Sequence, residues 1–189
     1  MSYFTISDII DNEHLKELSL QVNKWGARFD EILFQFEADG FHVMEPFKPK
    51  GKKKKTFVSN ITGSFKVDET LVDFFDQVTE RIKEEAANKS LKWIDDSFAP
   101  PLNENDGNHY LKFKITPDTS FRDERGNEIT SDEAQKCSGK MAMRIEKVYR
   151  FTDDDGVERV GYTVLLDYFK STGPKEGGSK KRKFADPFA

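Results

Sequence analysis

The stretch from His109 to Ile115 reads HYLKFKI, and its apolar and polar residues alternate one by one. This period of two places three apolar residues on one side of the chain and a tyrosine with two lysines on the other. The apolar set is Leu111, Phe113 and Ile115, and the polar set is Tyr110, Lys112 and Lys114. The alternation predicts a β-strand with one buried face.

The polar side of this strand combines a flat aromatic ring with two cations. A tyrosine ring can stack on a nucleic-acid base, and lysines can reach phosphates, which is the combination that single-strand binders use. On this strand alone, a partly exposed tyrosine among ordinary surface lysines is the simpler interpretation.

Two further strands follow towards the C-terminus. Residues 140–151 alternate Met141, Met143 and Ile145 with Lys140, Ala142 and Arg144, and residues 161–170 form a second β-rich run. The DDDG sequence at 153–156 between them predicts a β-hairpin. Its aspartates do not have the spacing of an EF-hand loop, so we interpret them as a hairpin tip rather than a metal site.

A strand and a helix precede the opening stretch. Residues 56–67 alternate in the strand manner, with Ile61, Phe65 and Val67 on one face. Asp68 is a typical helix N-cap, and apolar residues from Leu71 onward recur at spacings of three and four. We therefore predict a helix that ends between residues 88 and 93.

The N-terminal region shows a different apolar pattern. Between residues 7 and 39, apolar residues recur at spacings of three and four, and Gly40 is a natural helix stop. The stripe comprises Leu15, Leu18, Val22, Trp25, Phe29, Ile32 or Leu33, and Phe36. We predict one helix, or two divided at Gly26, packed against the body of the protein or against a second copy.

Charge is unevenly distributed along the chain. Residues 47–55 read FKPKGKKKK, with six lysines, and predict an exposed flexible loop that can bind phosphates. Residues 171–189 are rich in Gly, Ser and charge, and predict a disordered tail of charge +3. The net charge of −4 therefore leaves −7 on residues 1–170.

Composition limits the class of protein. The 189 residues suffice for one domain of ordinary size, and 17 Phe, 5 Tyr and 2 Trp can build a core. The N-terminal sequence lacks the features of a signal peptide, and no apolar run is long enough to span a membrane. The single cysteine, Cys137, excludes an internal disulfide and fits a reducing compartment, and we predict no cofactor and no metal.

The order strand, helix, strand and hairpin predicts an α+β, mainly β fold. A small Greek-key barrel with an inserted helix, of which the OB-fold is the common nucleic-acid-binding example, fits this order. We expect an N-terminal helical segment at 1–46 packed on the core, an OB-fold-like domain at 47–170 with its basic loop at 47–55, and the basic tail at 171–189.

The succession of particular pieces resembles the single-stranded DNA-binding proteins of tailed bacteriophages. These pieces are the helix at 71–93, Pro101-Leu102, the GNHYLKFK strand at 107–114, Ser138-Gly139 opening a long strand, and the hairpin that leads to GYTVLL at 161–166. The resemblance covers about residues 56–170. It implies a non-enzymatic protein that coats single strands during phage replication and recombination.

The resemblance also implies which side chains contact the nucleic acid. Together with the basic loop, the candidate single-stranded DNA-binding residues are Lys50, Lys52, Lys53, Lys54, Lys55, Tyr110, Lys112, Lys114, Lys140, Arg144, Lys147, Tyr149, Phe151, Tyr162 and Tyr168. The family's tails are typically acidic and end in an aromatic residue. The counterpart here is Asp186, Pro187 and Phe188, after a basic run at 180–183, and it could recruit replication proteins such as a polymerase, helicase or primase.

The resulting hypothesis is sequence-tolerant binding of single-stranded DNA in the cytoplasm of an infected bacterial cell. Base stacking and phosphate neutralisation would provide the affinity. The alternative is a non-enzymatic viral interaction module whose helices and tail dock partners. A homodimer through the N-terminal stripe is open, and no membrane partner is expected.

Overall fold

The described part of the chain is built mainly from β-strands. The computed structural model describes residues 3–11, 14–17, 19–23, 26–44, 61–95, 98, 100–152 and 156–174. The strands are β1 (Phe4–Thr5), β2 (Leu20–Asn23), β3 (Gly26–Ala38), β4 (His42–Met44), β5 (Ile61–Lys66), β6 (Leu102–Asn105), β7 (Asn108–Arg122), β8 (Cys137–Thr152) and β9 (Glu158–Pro174). The helices are α1 (Ile6–Asp11), α2 (Glu69–Asn88) and α3 (Ser131–Ala134), with a 3-10 turn at His14–Glu17.

Within the described residues these strands form one mixed sheet in the order β1-β3-β8-β9-β7-β5-β4, with β2 on β3 and β6 on β7. The pairs β1–β3 and β7–β9 are parallel. The sheet curls so strongly that two strands that are not neighbours in this order come into contact: Phe36 of β3 stacks on Phe65 of β5, with ring centroids 5.1 Å apart. This barrel-like arrangement, with α2 inserted between β5 and β6, confirms the predicted mainly β, OB-fold-like class.

The strand of the opening stretch is β7, and its predicted alternation is confirmed. Leu111, Phe113 and Ile115 are buried, while Lys112 is exposed and Lys114 is half-buried. The apolar face of β7 joins the aromatic core, where Phe113 lies with its ring centroid 5.9 Å from that of Phe41. The opposite face is left for polar side chains.

The predicted hairpin of β8 and β9 is confirmed and is longer than expected. The two strands pair from Thr152 with Glu158 at the tip to Cys137 with Pro174 at the far end. The prediction of a disordered tail from residue 171 is wrong for residues 171–174, because Ser171 is buried and pairs with Gly139. Residues 175–189 lie outside the described residues.

The prediction of a helical segment over residues 7–39 is wrong for most of its length. Only α1 and the 3-10 turn are helical, and β2 and β3 occupy 20–23 and 26–38. Short apolar runs fit both periods, and tertiary pairing decides between them. Here β3 pairs with β8, with Phe34 opposite Met143, and Phe34 is buried against Phe74 of α2.

Helix α2 matches its sequence signals closely. The Asp68 carboxylate accepts a hydrogen bond from the Leu71 backbone N–H at 2.9 Å, as an N-cap should. The buried stripe of the helix includes Phe74, Phe75 and Ile82 and faces the barrel interior. The helix ends at Asn88, within the predicted limits.

A tight hairpin joins β6 to β7 at residues 105–108. β6 pairs with β7 through Asn105 and Asn108, and the two turn residues have positive φ angles, 52° at Asp106 and 71° at Gly107. Two consecutive residues with positive φ angles are typical of a type I′ turn, whose twist matches that of the two strands it joins. β6 therefore lies beside β7, and the Pro101 carbonyl, just before β6, accepts a hydrogen bond from the Lys112 backbone N–H at 2.9 Å.

Candidate nucleic-acid interface

The pairing registers bring several predicted strand residues onto one outer face of the sheet. Paired residues point to the same side of a ladder. The relevant pairs are Ser64 with Lys112, Thr62 with Lys114, Lys114 with Leu165, Arg144 with Leu165, Lys147 with Thr163, and Tyr149 with Gly161. The core-facing residues Phe113, Ile145 and Val164 lie on the other side. Lysines, an arginine and a tyrosine therefore share the outer face.

A groove crosses this outer face. Its volume is about 610 Å³, and its floor consists of residues 112–114 of β7, Tyr149 of β8 and 160–164 of β9. Residues 100–103, which lead into β6, form one wall. Lys112, Lys114, Tyr149 and Thr163 are among the residues that line this groove, so its lining includes cations, an outward-facing aromatic ring and a hydroxyl group.

Tyr149 lies on the groove floor because its cross-strand neighbour is a glycine. A Cβ atom added to Gly161 would be 2.8 Å from the Tyr149 Oη and 3.1 Å from its Cζ. The absence of a side chain at Gly161 therefore lets the tyrosine ring lie over β9. Partial burial in this position raises the pKa of the Tyr149 phenol above its usual value.

The lysines of the groove differ from the other predicted cations in their ion pairing. No described carboxylate lies within ion-pair distance of Lys112, Lys114 or Lys147, and Lys112 and Lys147 are exposed. Arg144, in contrast, lies beside Asp167, with its Nε 3.3 Å from the carboxylate Oδ1. The cations closest to the groove are those that keep their charge available to a ligand.

Lys140 and Tyr168 lie on the outer face beyond the Arg144–Asp167 pair. Lys140 is opposite Lys170, and its Nζ is 3.4 Å from Glu37 Oε1 in an exposed pair of the kind that contributes little stability. Tyr168 is 37% exposed and pairs with Ala142. Neither residue lines the groove.

Tyr110 lies at the opposite end of the β7 row. It pairs with Lys66 of β5 on one side and with Asn103 of β6 on the other, and its side chain is half-buried. Asn103 lines the groove wall. Tyr110 is therefore next to the groove rather than in it.

Tyr162 was predicted as a stacking residue, and the structure contradicts this role. Its side chain is 1% exposed, and its hydroxyl donates to the Phe75 carbonyl at 3.2 Å and lies 3.3 Å from Thr79 Oγ1. Tyr162 shares the inward face of β9 with Val164, and burial raises its pKa. No base can reach a ring in this position.

The remaining predicted site residues lie outside what the structure describes. Phe151 belongs to β8, but its side chain is not among the described ones. The loop lysines Lys50 and Lys52–Lys55, and the tail residues Asp186, Pro187 and Phe188, fall within 45–60 and 175–189. Their predicted roles stay predictions.

Sequence reasoning missed Gly161, Thr163 and the wall at 100–103. The wall could have been found from the Asp106-Gly107 turn, which brings the preceding strand alongside β7. Gly161 becomes meaningful only once the hairpin register places it opposite Tyr149. Nothing in the run GYTVLL distinguishes Thr163 from an ordinary strand residue.

Two features of the described residues bear on other classes of function, metal chemistry and membrane insertion. No group of three or more His, Cys, Asp or Glu side chains in that part of the chain could hold a metal ion. Asp153, Asp154 and Asp155 lie outside it. None of the described helices is both long and apolar enough to cross a membrane.

Comparison with known proteins gives structural neighbours only. Solved structures similar to this chain include single-stranded DNA-binding proteins of bacteriophages. That of bacteriophage Enc34, in complex with ssDNA, has 11% identity and a TM-score of 0.49, over 87% of this chain and 99% of that one. Gp2.5 of bacteriophage T7 has 15% identity and a TM-score of 0.39, over 84% and 95%. No family model and no curated protein matches the sequence.

We predict that Gly161→Ala displaces the Tyr149 ring, because the new methyl group would overlap its far end. The displaced phenol becomes more hydrated, so its pKa falls towards the usual value near 10. A tyrosinate absorbance titration measures the change, with Tyr149→Phe identifying the signal. An unchanged titration curve would show that Gly161 does not determine the position of the ring.

Proposed function

We propose that this chain is a non-enzymatic protein that binds single-stranded DNA along the groove without sequence preference. Tyr149 stacks on a base, and Lys112 and Lys114 neutralise phosphates. The observation that carries the proposal is the presence of these three side chains in one open groove, in which the lysines have no described carboxylate partner. Every base has a π-face, so stacking of this kind tolerates any sequence.

The shape of the groove favours a single strand over a duplex. The Tyr149 ring lines the groove floor, where its far end lies over Gly161 of β9. A base can cover this ring only after leaving its own stack. Bases in a single strand do this at low cost, whereas bases in a duplex must first break pairs and stacking.

Other cations extend the proposed contact surface. Lys147 projects from the rung next to Tyr149, and Lys66 is opposite Tyr110 at the end of the β7 row. The lysine-rich segment at 47–55 precedes β5 in the chain, and Thr62 of β5 lines the groove. We include Lys50 and Lys52–Lys55 in the proposal as further phosphate contacts, and Lys140 and Tyr168 as contacts beyond Arg144.

The cellular part of the proposal is DNA replication and recombination of a bacteriophage in the cytoplasm of its host. It follows from the resemblance in the order of sequence elements over residues 56–170. Asp186, Pro187 and Phe188 are proposed to recruit replication proteins, because they form a short acidic and aromatic tip after the basic tail. Co-purification of a polymerase or helicase with the full chain, and its loss on deleting these residues, would support that role.

The lysine contacts predict a specific salt dependence. Each phosphate neutralised on a single strand contributes about 0.7 to the slope of log affinity against log salt. Lys112→Gln with Lys114→Gln should therefore weaken binding of oligo-dT and reduce the slope by about 1.4. Fluorescence anisotropy titrations at several salt concentrations measure both quantities.

The matched control for the lysine variants is Lys136→Gln. Lys136 is exposed and lines a separate cavity near α3. This variant changes the net charge in the same direction but should leave the slope unaltered. Equal slopes for the groove variant and the wild type would exclude phosphate contacts at Lys112 and Lys114.

The stacking contact predicts a separate effect at Tyr149. Tyr149→Leu removes the aromatic face and should weaken binding to oligo-dT by about 1 to 3 kcal/mol. Tyr149→Phe keeps the ring and should retain the affinity. If the leucine and phenylalanine variants bind equally well, no base stacks at this position.

A further inference from the structure

The hydroxyl of Thr163 is buried in the groove floor without a hydrogen-bond partner among the described residues. Thr163 is 4% exposed, and its Oγ1 has no donor or acceptor within hydrogen-bond distance in that part of the chain. The residue lines the groove and pairs with Lys147 of β8. An unpartnered polar atom therefore lies at the centre of the proposed binding surface.

Comparable buried polar side chains in this protein are satisfied. Thr79 is 3% exposed and donates its hydroxyl hydrogen to the Phe75 carbonyl at 2.7 Å. Ser171 is 4% exposed, and its hydroxyl accepts from the Gly173 backbone N–H at 3.2 Å. A buried hydroxyl without such a bond destabilises the free protein. Thr163 is thus an exception that a bound ligand would correct.

The charges near Thr163 define the ligand. Lys112 and Lys114 line the same groove, and Lys147 is the cross-strand neighbour. A hydroxyl in a groove that lysines line is suited to donate to an anionic oxygen, as Ser and Thr side chains do to phosphates in nucleic-acid complexes. The next outward-facing rung, two residues along the ladder, holds Tyr149 at about 7 Å, so a base on that ring and a phosphate at Thr163 would lie close together.

We propose that Thr163 donates a hydrogen bond to a phosphodiester oxygen of the bound single strand and fixes the strand's position between Lys112 and Lys147. This inference rests on the proposed function, since it assigns one contact within the same groove. It adds a neutral residue to a site otherwise defined by lysines and an aromatic ring. It also gives a role to a polar side chain at a buried position of β9.

The test compares Thr163→Val with Thr163→Ser in the full chain. Valine has the shape of threonine without its hydroxyl, so affinity for oligo-dT should fall about tenfold, the effect of losing a hydrogen bond to a charged group. The salt slope should stay unchanged, because no charge is removed. The free Thr163→Val protein should unfold at the same temperature as the wild type or higher. Thr163→Ser should keep most of the affinity.

Thr79→Val is the matched control, because it is the same substitution at an equally buried site on α2, which packs on the core side of the sheet. Its hydroxyl is bonded in the free protein, so oligo-dT affinity should stay at the wild-type value. The loss at Thr163→Val should be equal for oligo-dT, oligo-dA and oligo-dC, since phosphates are common to all three. A loss confined to one base would assign the contact to a base edge and overturn the phosphate assignment.

The possible failures are distinguishable. If the wild type binds oligo-dT and Thr163→Val binds equally tightly, the inference is wrong while the proposed function stands. If Thr163→Val unfolds at a clearly lower temperature, its hydroxyl has a structural partner, and the inference is also overturned. If the wild type itself does not bind oligo-dT at low salt, the proposed function fails.

Discussion

The ladder between β8 and β9 is the constraint on which the rest of the structure depends. Both strands are internal to the sheet, since β8 also pairs with β3 and β9 also pairs with β7. Their inward residues, among them Met143 and Val164, build the core, and their outward residues build the groove. Two of the three register shifts in this ladder decide which residues near the groove face inward and which face outward. Strict alternation from Ile145 would turn Lys147 inward, and the shift between these two residues turns it outward.

A second register shift, with its extra residue on β9, limits the groove on its other side. Leu166 and Phe169 are both buried, and Asp167 is the extra residue in the ladder opposite Ala142 and Met143. Its carboxylate holds Arg144 and accepts a hydrogen bond from the Tyr3 hydroxyl at 3.1 Å. Acidic side chains therefore pair with cations outside the groove, whereas the groove lysines have no carboxylate partner among the described residues. The proposed affinity of this surface for an anion therefore depends on where the charges lie rather than on the net charge.

The sequence predicted those features that local periodicity determines. The row Tyr110, Lys112, Lys114 follows from a period of two, and α2 follows from its N-cap and apolar spacing. β3 could not be predicted, because its apolar run also fits a helix and only pairing with β8 selects the strand. The bulges are equally non-local: alternation alone cannot show that Tyr149 faces outward over Gly161. Tyr162 failed as a candidate because residue type does not reveal which face of β9 it occupies.

The most direct test of the central claim is an equilibrium titration of the full chain with labelled oligo-dT and with a duplex of equal length, each at low and at higher salt. The account predicts tighter binding of the single strand at both concentrations and an affinity that falls as salt rises. Equal affinity for the two nucleic acids, or no binding of oligo-dT at low salt, would contradict it.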